Sequence, residues 1–291
     1  MTYNLLTVEP LSLDTVAAAL AQCLHVRVQE VDVADEDTDQ DLRNWDALVL
    51  CEKVTVLGDV STSLDVYVQE SVQPQPSERE LASTFAKATH GVALFPAEEA
   101  LPSAYWLAAE DGLVTRVRLN SSDDERPRYT IDAVEAPVAQ LPHVTVARIA
   151  EVVREQQIAT PLAAAFSAHV QRMYPEEGRA PGTPHWYAGN RLGAWEKLVR
   201  QMEAGWAPSG WFPPDLYVER LDARDELEQV SEQLPETVVA LLQNALGPLD
   251  TLFAQMTVED TDLLCKQLAG AQGTASGRGW WWNRRPDPLP W

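Results

Sequence analysis

The chain has 291 residues and a formal net charge of −22, with 44 Asp and Glu against 22 Lys and Arg. Residues 1–140 hold 25 of these acids and 9 of the bases, so a net charge of −16 lies in the first half. Such a field repels nucleic acid and anionic membranes and favours encounters with basic partners. Nucleic-acid binding and membrane-surface binding are therefore excluded, and the alternative to a basic partner is that the charge serves solubility alone.

The three cysteines, Cys23, Cys51 and Cys265, are far apart and form no Cys-x-x-Cys motif. An odd number at such spacing predicts reduced thiols, not a disulfide framework or a zinc site. Residues 1–10 lack the basic and apolar regions of a signal peptide, and no membrane-spanning run is expected. We therefore expect a cytoplasmic protein, and the abundance of Ala and Arg suggests a bacterial source with a GC-rich genome.

The first 145 residues predict an α+β domain with a mainly antiparallel sheet and two or more helices. Ser12 is a plausible N-cap for a helix that reaches Leu24, because the apolar residues after it follow helical spacing. Ser77 and Glu80 form a capping box, and this second helix is expected to end at Gly91, where glycine can adopt the left-handed cap. Strands are predicted at residues 25–33, 47–51, 54–57 and 64–68.

An antiparallel meander follows the second helix. Its strands are predicted at residues 92–95, 104–109, 113–120 and 128–134. The pair Asp111-Gly112 lies between two of them and indicates a hairpin, because glycine tolerates the positive φ of a tight turn. Local hairpins favour an α+β domain over a doubly wound parallel one.

Residues 146–291 predict a second, mainly α-helical domain that ends in a Trp- and Pro-rich tail. Helices are predicted at residues 144–156, 161–173, 192–206, 222–234, 238–256 and 257–268. Asp222 and Thr257 are expected to cap two of these helices at their N-termini. Gly247-Pro248 is expected to kink or restart another, because proline removes a backbone hydrogen bond.

No catalytic, metal or cofactor motif is predicted. The run from Asp35 to Asp41 has acids at alternate positions, as a calcium loop does, but Gln40 stands where an EF-hand needs glycine. Asp46 is also shorter than the bidentate glutamate expected at the twelfth position, so a solvated acidic loop is favoured. The five histidines are scattered, and neither Gly-x-Ser-x-Gly nor His-Glu-x-x-His occurs.

Three arginines are candidate binding residues in the first domain. Arg116 and Arg118 are expected on one face of the central meander strand, with Arg128 beside them on the next strand. They either pair with carboxylates across the sheet or bind an anion.

Tryptophans supply the candidates in the second domain, where eight of ten follow residue 180. Trp186, Trp211, Trp280, Trp281 and Trp282 lie in Pro- and Gly-rich segments. There they can line a groove for a sugar, a peptide or a partner protein. Alternatively, the tail folds back and its tryptophans fasten the helices together.

The leading functional hypothesis is a non-enzymatic acidic binding protein of the inhibitor, immunity or antitoxin type that masks a basic protein partner. The first alternative is a hydrolase acting on a sugar or peptide in an inter-domain cleft lined by tryptophans and carboxylates. The second is an assembly module that docks through the Trp-rich tail. No cofactor is expected, and the sequence predicts no oligomeric state.

Overall fold

The computed structural model describes residues 1–98, 101–124, 127–207, 209–261, 264–270 and 278–291. The chain divides into two compact units, residues Met1–Glu155 and Gln156–Trp291, whereas the sequence-based division was drawn between residues 145 and 146. The large sheet lies in the first unit and the helices concentrate in the second. The α+β fold class is therefore confirmed.

The first unit contains ten strands and three α-helices among its described residues. The strands are β1 (Thr2–Thr7), β2 (Val31–Ala34), β3 (Val49–Thr55), β4 (Leu57–Gly58), β5 (Thr62–Val68), β6 (Val92–Pro96), β7 (Ala104–Ala109), β8 (Val114–Ser121), β9 (Arg128–Val134) and β10 (Thr145–Val146). The helices are α1 (Leu13–Leu24), α2 (Glu78–Thr89) and α3 (Ala150–Glu155). The predicted meander is confirmed as β6 to β9, and Gly112 has the positive φ, 92°, that its turn requires.

Local hydrogen bonds start the first two helices as predicted. Ser12 Oγ accepts from the Thr15 amide at 3.1 Å in α1. In α2, Ser77 Oγ accepts from the Glu80 amide at 3.3 Å, and the Glu80 carboxylate accepts from the Ser77 amide at 2.8 Å. Together these two bonds complete the capping box.

The end of α2 differs from the prediction. The left-handed residue is His90, with a φ of 52°, and not Gly91. Glycine at position 91 has a different effect, because an added Cβ would lie 2.6 Å from Oε2 of Glu9 and that side chain would have to move. That carboxylate accepts from the Val92 amide at 3.1 Å, so Gly91 lets Glu9 approach the first residue of β6.

The sheet has the strand order β10-β9-β8-β7-β6-β1-β5-β3-β2. Most neighbours are antiparallel; β2 runs parallel to β3, and β10 runs parallel to β9. The short strand β4 also pairs in parallel with β9. Because β4 lies in the chain between β3 and β5, this pairing curls the sheet back on itself.

Among the described residues of this unit, helices cover one face of the sheet. Beneath α1 and α2 lies a core that includes Tyr3, Leu20 and Phe85, each fully buried. A second core lies inside the curl of β6 to β9 and is completed by residues that follow β9; these are Val138, Leu141 and Val144. Leu6 of β1 contributes to this second core, but the part of the same outward face formed by Thr2, Asn4, Glu52, Asp65 and Tyr67 belongs to neither core, and these side chains are exposed.

Gly58 permits the contact between β4 and β9. Its φ is 109°, and an added Cβ would lie 1.9 Å from the backbone oxygen of Tyr129. We expect Gly58→Ala to lower the free energy of unfolding by more than about 2 kcal/mol, because it adds a backbone clash to the strain of a positive φ. Chemical denaturation measures this change.

Gly112→Ala is the matched control for Gly58→Ala. Gly112 also has a positive φ, but the nearest atom to an added Cβ is Cε of Lys87 at 3.9 Å. The free energy of unfolding of the control should therefore fall only by the cost of the positive φ, about 1 kcal/mol. Equal losses in the two variants would contradict a closing role for Gly58.

The second unit is built from five α-helices and one strand pair among its described residues. The helices are α4 (Pro161–Met173), α5 (Pro184–Glu203), α6 (Pro214–Ser231), α7 (Glu236–Gln255) and α8 (Leu264–Leu268). The strands β11 (Thr257–Glu259) and β12 (Arg284–Pro286) pair antiparallel. The largest fully buried side chains of this unit are Trp195, Phe212, Tyr217, Phe253, Trp281 and Trp282.

Three predicted helix starts in this unit were wrong, the first being that of α5, which begins at Pro184 and not at residue 192. Asp222 lies inside α6, which begins at Pro214 because proline suits the first turn of a helix. Thr257 begins β11, because residues 257–259 pair with the distant residues 284–286. At Asp222 the local capping signal was overridden by an earlier local start at Pro214, and at Thr257 it was overridden by pairing with a distant segment.

The helix α7 continues through Pro248, so it does not restart there. Its buried stripe includes Leu242, Leu249 and Phe253, and this packing offsets the hydrogen bond that proline removes. By length and composition α7 is also apolar enough to cross a membrane, although 33% of its most apolar window is buried inside the protein. Core helices of soluble proteins share this length and composition, so these two properties do not identify a membrane span.

Candidate functional site

Two directly opposed carboxylates mark the uncovered part of the sheet. Glu52 of β3 lies opposite Asp65 of β5, and both side chains are exposed. The next outward pair along the same strands is Leu50 and Tyr67, and Tyr67 is 48% exposed. We call this surface the acidic sheet face; it consists of Thr2, Asn4, Leu50, Glu52, Asp65 and Tyr67.

Neither carboxylate of the opposed pair has an ion pair or hydrogen bond within the described parts of the chain. The nearby bases are bound to other acids, since Arg43 Nε lies 2.9 Å from Asp32 Oδ2 and Lys53 Nζ lies 3.8 Å from Asp35 Oδ2. Like charges placed directly opposite each other destabilise a sheet. The face therefore presents, beside an exposed aromatic ring, two carboxylates that no described side chain compensates.

The acidic loop that follows β2 is held by its own hydrogen bonds. Asp35 Oδ1 accepts from Thr38 Oγ1 at 2.8 Å, and from the Asp37 amide at 3.3 Å. The bond from Thr38, helped by the positive charge of Lys53, lowers the pKa of Asp35. Within the described residues no three His, Cys, Asp or Glu side chains are placed to hold a metal ion.

The structure brings Arg116 and Arg118 to the same strand but separates Arg128 from them. Arg128 begins β9 opposite Ser122, whose hydroxyl accepts from its amide at 3.0 Å. Position 122 is four residues from Arg118, or about 13 Å along a strand at roughly 3.3 Å per residue. The expected cluster of three arginines is therefore a pair, with Arg128 exposed at some distance.

Arg116 and Arg118 have partners inside the first unit. Arg118 donates to Asp132 at 2.8 Å and to Glu151 at 2.6 Å, and its pKa is raised, chiefly by the hydrogen bond to Asp132. Arg116 is 5% exposed, and its guanidinium lies 4.1 Å from the ring centre of Trp106. Arg118 therefore pairs with a carboxylate across the sheet, as one of the two alternatives predicted. Arg116 makes a cation–π contact that the sequence analysis did not predict.

Two tryptophans of the tail lie in the interior of the second unit. Trp281 is 1% exposed and packs 6.4 Å from Trp195, with the Arg224 guanidinium 4.2 Å from its ring. Trp282 is fully buried and donates from Nε1 to Asp225 at 2.8 Å. The tail therefore folds back and uses these two tryptophans to fasten the helices together, which was the alternative to a tryptophan-lined groove.

The other three candidate tryptophans are partly accessible. Trp280 is 42% exposed and borders a cleft of about 320 Å³ that also includes Asp260. Trp211 is half-buried and precedes the fully buried Phe212, whose amide donates to the Pro290 oxygen at 3.0 Å. Trp186 is half-buried and lines a separate cleft of about 310 Å³ between α4 and α5.

The cysteines do not provide a nucleophile. Cys23, Cys51 and Cys265 are free and buried. Burial raises the pKa of each thiol to about 12, so the thiols are protonated at neutral pH. Because the thiolate is the reactive form, a cysteine-based reaction has no support here.

The chain matches no known family model, no curated protein and no solved structure in comparisons with each. A functional proposal must therefore stand on the geometry of the chain itself. The acidic sheet face has two opposed carboxylates without an ion pair or hydrogen bond to any described residue, and the cleft between α4 and α5 holds the imidazole of His185, neither of whose nitrogens has a hydrogen-bond partner. They are the two candidate sites.

Proposed function

We propose that this protein is a non-enzymatic binding protein that masks a basic protein partner with its acidic sheet face. An inhibitor, immunity protein or antitoxin acts in this way. The single observation that carries the proposal is the direct opposition of Glu52 and Asp65, which no cation among the described residues compensates. A cationic side chain of a partner placed between these carboxylates would relieve their mutual repulsion.

The neighbouring side chains suit the centre of such an interface. Tyr67 and Leu50 offer apolar surface next to the carboxylates, and tyrosine is enriched at the energetic centres of protein interfaces. The net charge of −16 over residues 1–140 would speed encounter with a basic surface. The local pair and the wider field thus favour the same class of partner.

The proposal includes a cytoplasmic location and a protein as the partner. Three free, buried thiols support a reducing compartment such as the cytoplasm. The negative field supports a protein partner and argues against nucleic acid or an anionic membrane. We propose no enzymatic activity; in particular, no Asp or Glu is among the described residues that line the Trp186 cleft.

The proposal predicts a complex that depends on ionic strength. The full-length protein is used to capture partners from its native host at low salt, and a captured protein is then purified and titrated back. We expect a basic partner whose dissociation constant rises at least about tenfold between low and high salt, because exposed charges are screened. A dissociation constant that does not change with salt would contradict the proposal.

A further inference from the structure

The cleft between α4 and α5 has a lining that the acidic sheet face does not explain. Its volume is about 310 Å³, near the lower end of the range for small-molecule sites, roughly 300–1,000 Å³. Six side chains with hydrogen-bonding groups line it; these are Thr160, Ser167, Gln171, His185, Trp186 and Asn190. We call this site the α4–α5 cleft.

None of these six side chains makes a hydrogen bond within the described protein. His185 is the clearest case, because Nδ1 and Nε2 are both buried and both lack a partner. Its ring is held in place by Tyr174, with the ring centres 4.7 Å apart. Buried polar atoms are nearly always hydrogen-bonded in native proteins, so the imidazole has unused capacity for one donor and one acceptor.

Small residues and a fixed helix start keep the cleft open. Gly178, Gly189 and Gly193 contribute no side chains to its wall. At its edge, the fully buried Glu196 of α5 accepts from the amides of Leu162 and Ala163 at 3.1 and 2.8 Å. This carboxylate caps α4 from its neighbour and so fixes the two helices beside the cleft.

The lining indicates the charge of the ligand. No Asp, Glu, Lys or Arg is among the described lining residues, although such residues make up 23% of the chain. A charged ligand would lose part of its hydration in the cleft without gaining a counter-charge from these residues, which is costly. An uncharged ligand with several donors and acceptors would use the six side chains without that cost.

We propose that the α4–α5 cleft binds the neutral ring of a sugar. Hydroxyl groups alternate as donors and acceptors around such a ring and match hydroxyl, amide and imidazole side chains. The indole of Trp186 adds a flat apolar surface for the C–H face of the ring. The volume holds one ring and not a long chain, and the absence of carboxylates from the described lining favours binding without paired-carboxylate hydrolysis.

The test titrates the full-length protein with glucose, galactose and N-acetylglucosamine, with glucuronate and glucosamine as charged probes. Tryptophan fluorescence and ligand-observed NMR report binding. We expect saturable binding of at least one neutral sugar, with a dissociation constant of about 1 mM or tighter. The charged probes should bind at least about tenfold more weakly. No saturable binding of any neutral sugar, or equal binding of the charged probes, would overturn the proposal.

Variants locate the binding site. Asn190→Leu and His185→Phe should each weaken sugar binding at least about tenfold; Asn190 is exposed, so that variant is expected to fold. Tyr187→Phe is the control, because Tyr187 is 41% exposed and lines a different cleft. Unchanged binding in Asn190→Leu and His185→Phe, with native circular dichroism, would place the sugar elsewhere and overturn the assignment.

Discussion

Replacing Trp281 by alanine is expected to lower the free energy of unfolding by about 3–5 kcal/mol, the usual cost of removing a buried tryptophan. The side chain is 1% exposed. It packs between Trp195 and the guanidinium of Arg224, so its loss leaves a cavity and removes a cation–π contact. Chemical denaturation followed by circular dichroism measures the change.

Trp280→Ala is the control in the adjacent position. Trp280 is 42% exposed, and its closest ring contacts are edge contacts with Phe253 and Trp281 at 5.9 Å. We expect the free energy of unfolding of this variant to fall by only about 1 kcal/mol. A Trp281→Ala protein as stable as Trp280→Ala would mean that the tail does not hold the helices together.

The same comparison bears on docking through the tail. If Trp281 fastens the helices, deleting residues 279–291 should unfold the second unit and not merely remove a binding segment. A truncated protein that stays folded but loses its partner would support the assembly-module hypothesis. The hydrogen bond between Phe212 and Pro290 and the ring contact between Tyr217 and Trp291 favour unfolding of the second unit.

The double replacement Glu52→Gln and Asp65→Asn is expected to change stability and binding in opposite directions. Removing two like charges that face each other should raise the free energy of unfolding by about 0.5 kcal/mol. It should also weaken the complex with the basic partner by about ten- to a hundredfold, since it removes the carboxylates proposed to hold a cation. Denaturation and titration of the purified complex measure the two effects.

Asp123→Asn with Asp124→Asn removes the same amount of charge from another exposed part of the first unit. These two residues lie in the connection between β8 and β9. Replacing them lowers the negative net charge by the same amount as the Glu52→Gln and Asp65→Asn replacement does, but it leaves the acidic sheet face intact. We expect a loss of affinity of no more than about threefold, because distant surface charges are largely screened.

Features set by local sequence were predicted well. The capping residues Ser12 and Ser77, and the turn at Gly112, act within a few residues of their own positions. Burial in β5 alternates as its sequence does, with Leu64 and Val66 inside and Asp65 outside. Hydrophobic periodicity and capping chemistry decide such features without reference to the rest of the fold.

Features set by distant pairing were not predicted. Thr257 was expected to cap a helix, but β11 forms only because the tail returns to pair with it. The opposition of Glu52 and Asp65 depends on the register of β3 against β5, and a shift of one residue would turn one side chain inward. The contact of Arg116 with Trp106 depends in the same way on the register of two neighbouring strands.

The most direct test of the acidic sheet face compares two dissociation constants for one purified partner at low salt. One is measured with the Glu52→Gln and Asp65→Asn protein and the other with the Asp123→Asn and Asp124→Asn protein. The proposed interface predicts that the first is at least about tenfold higher than the second. Equal dissociation constants would show that total charge, and not this face, attracts the partner, and would contradict the proposal.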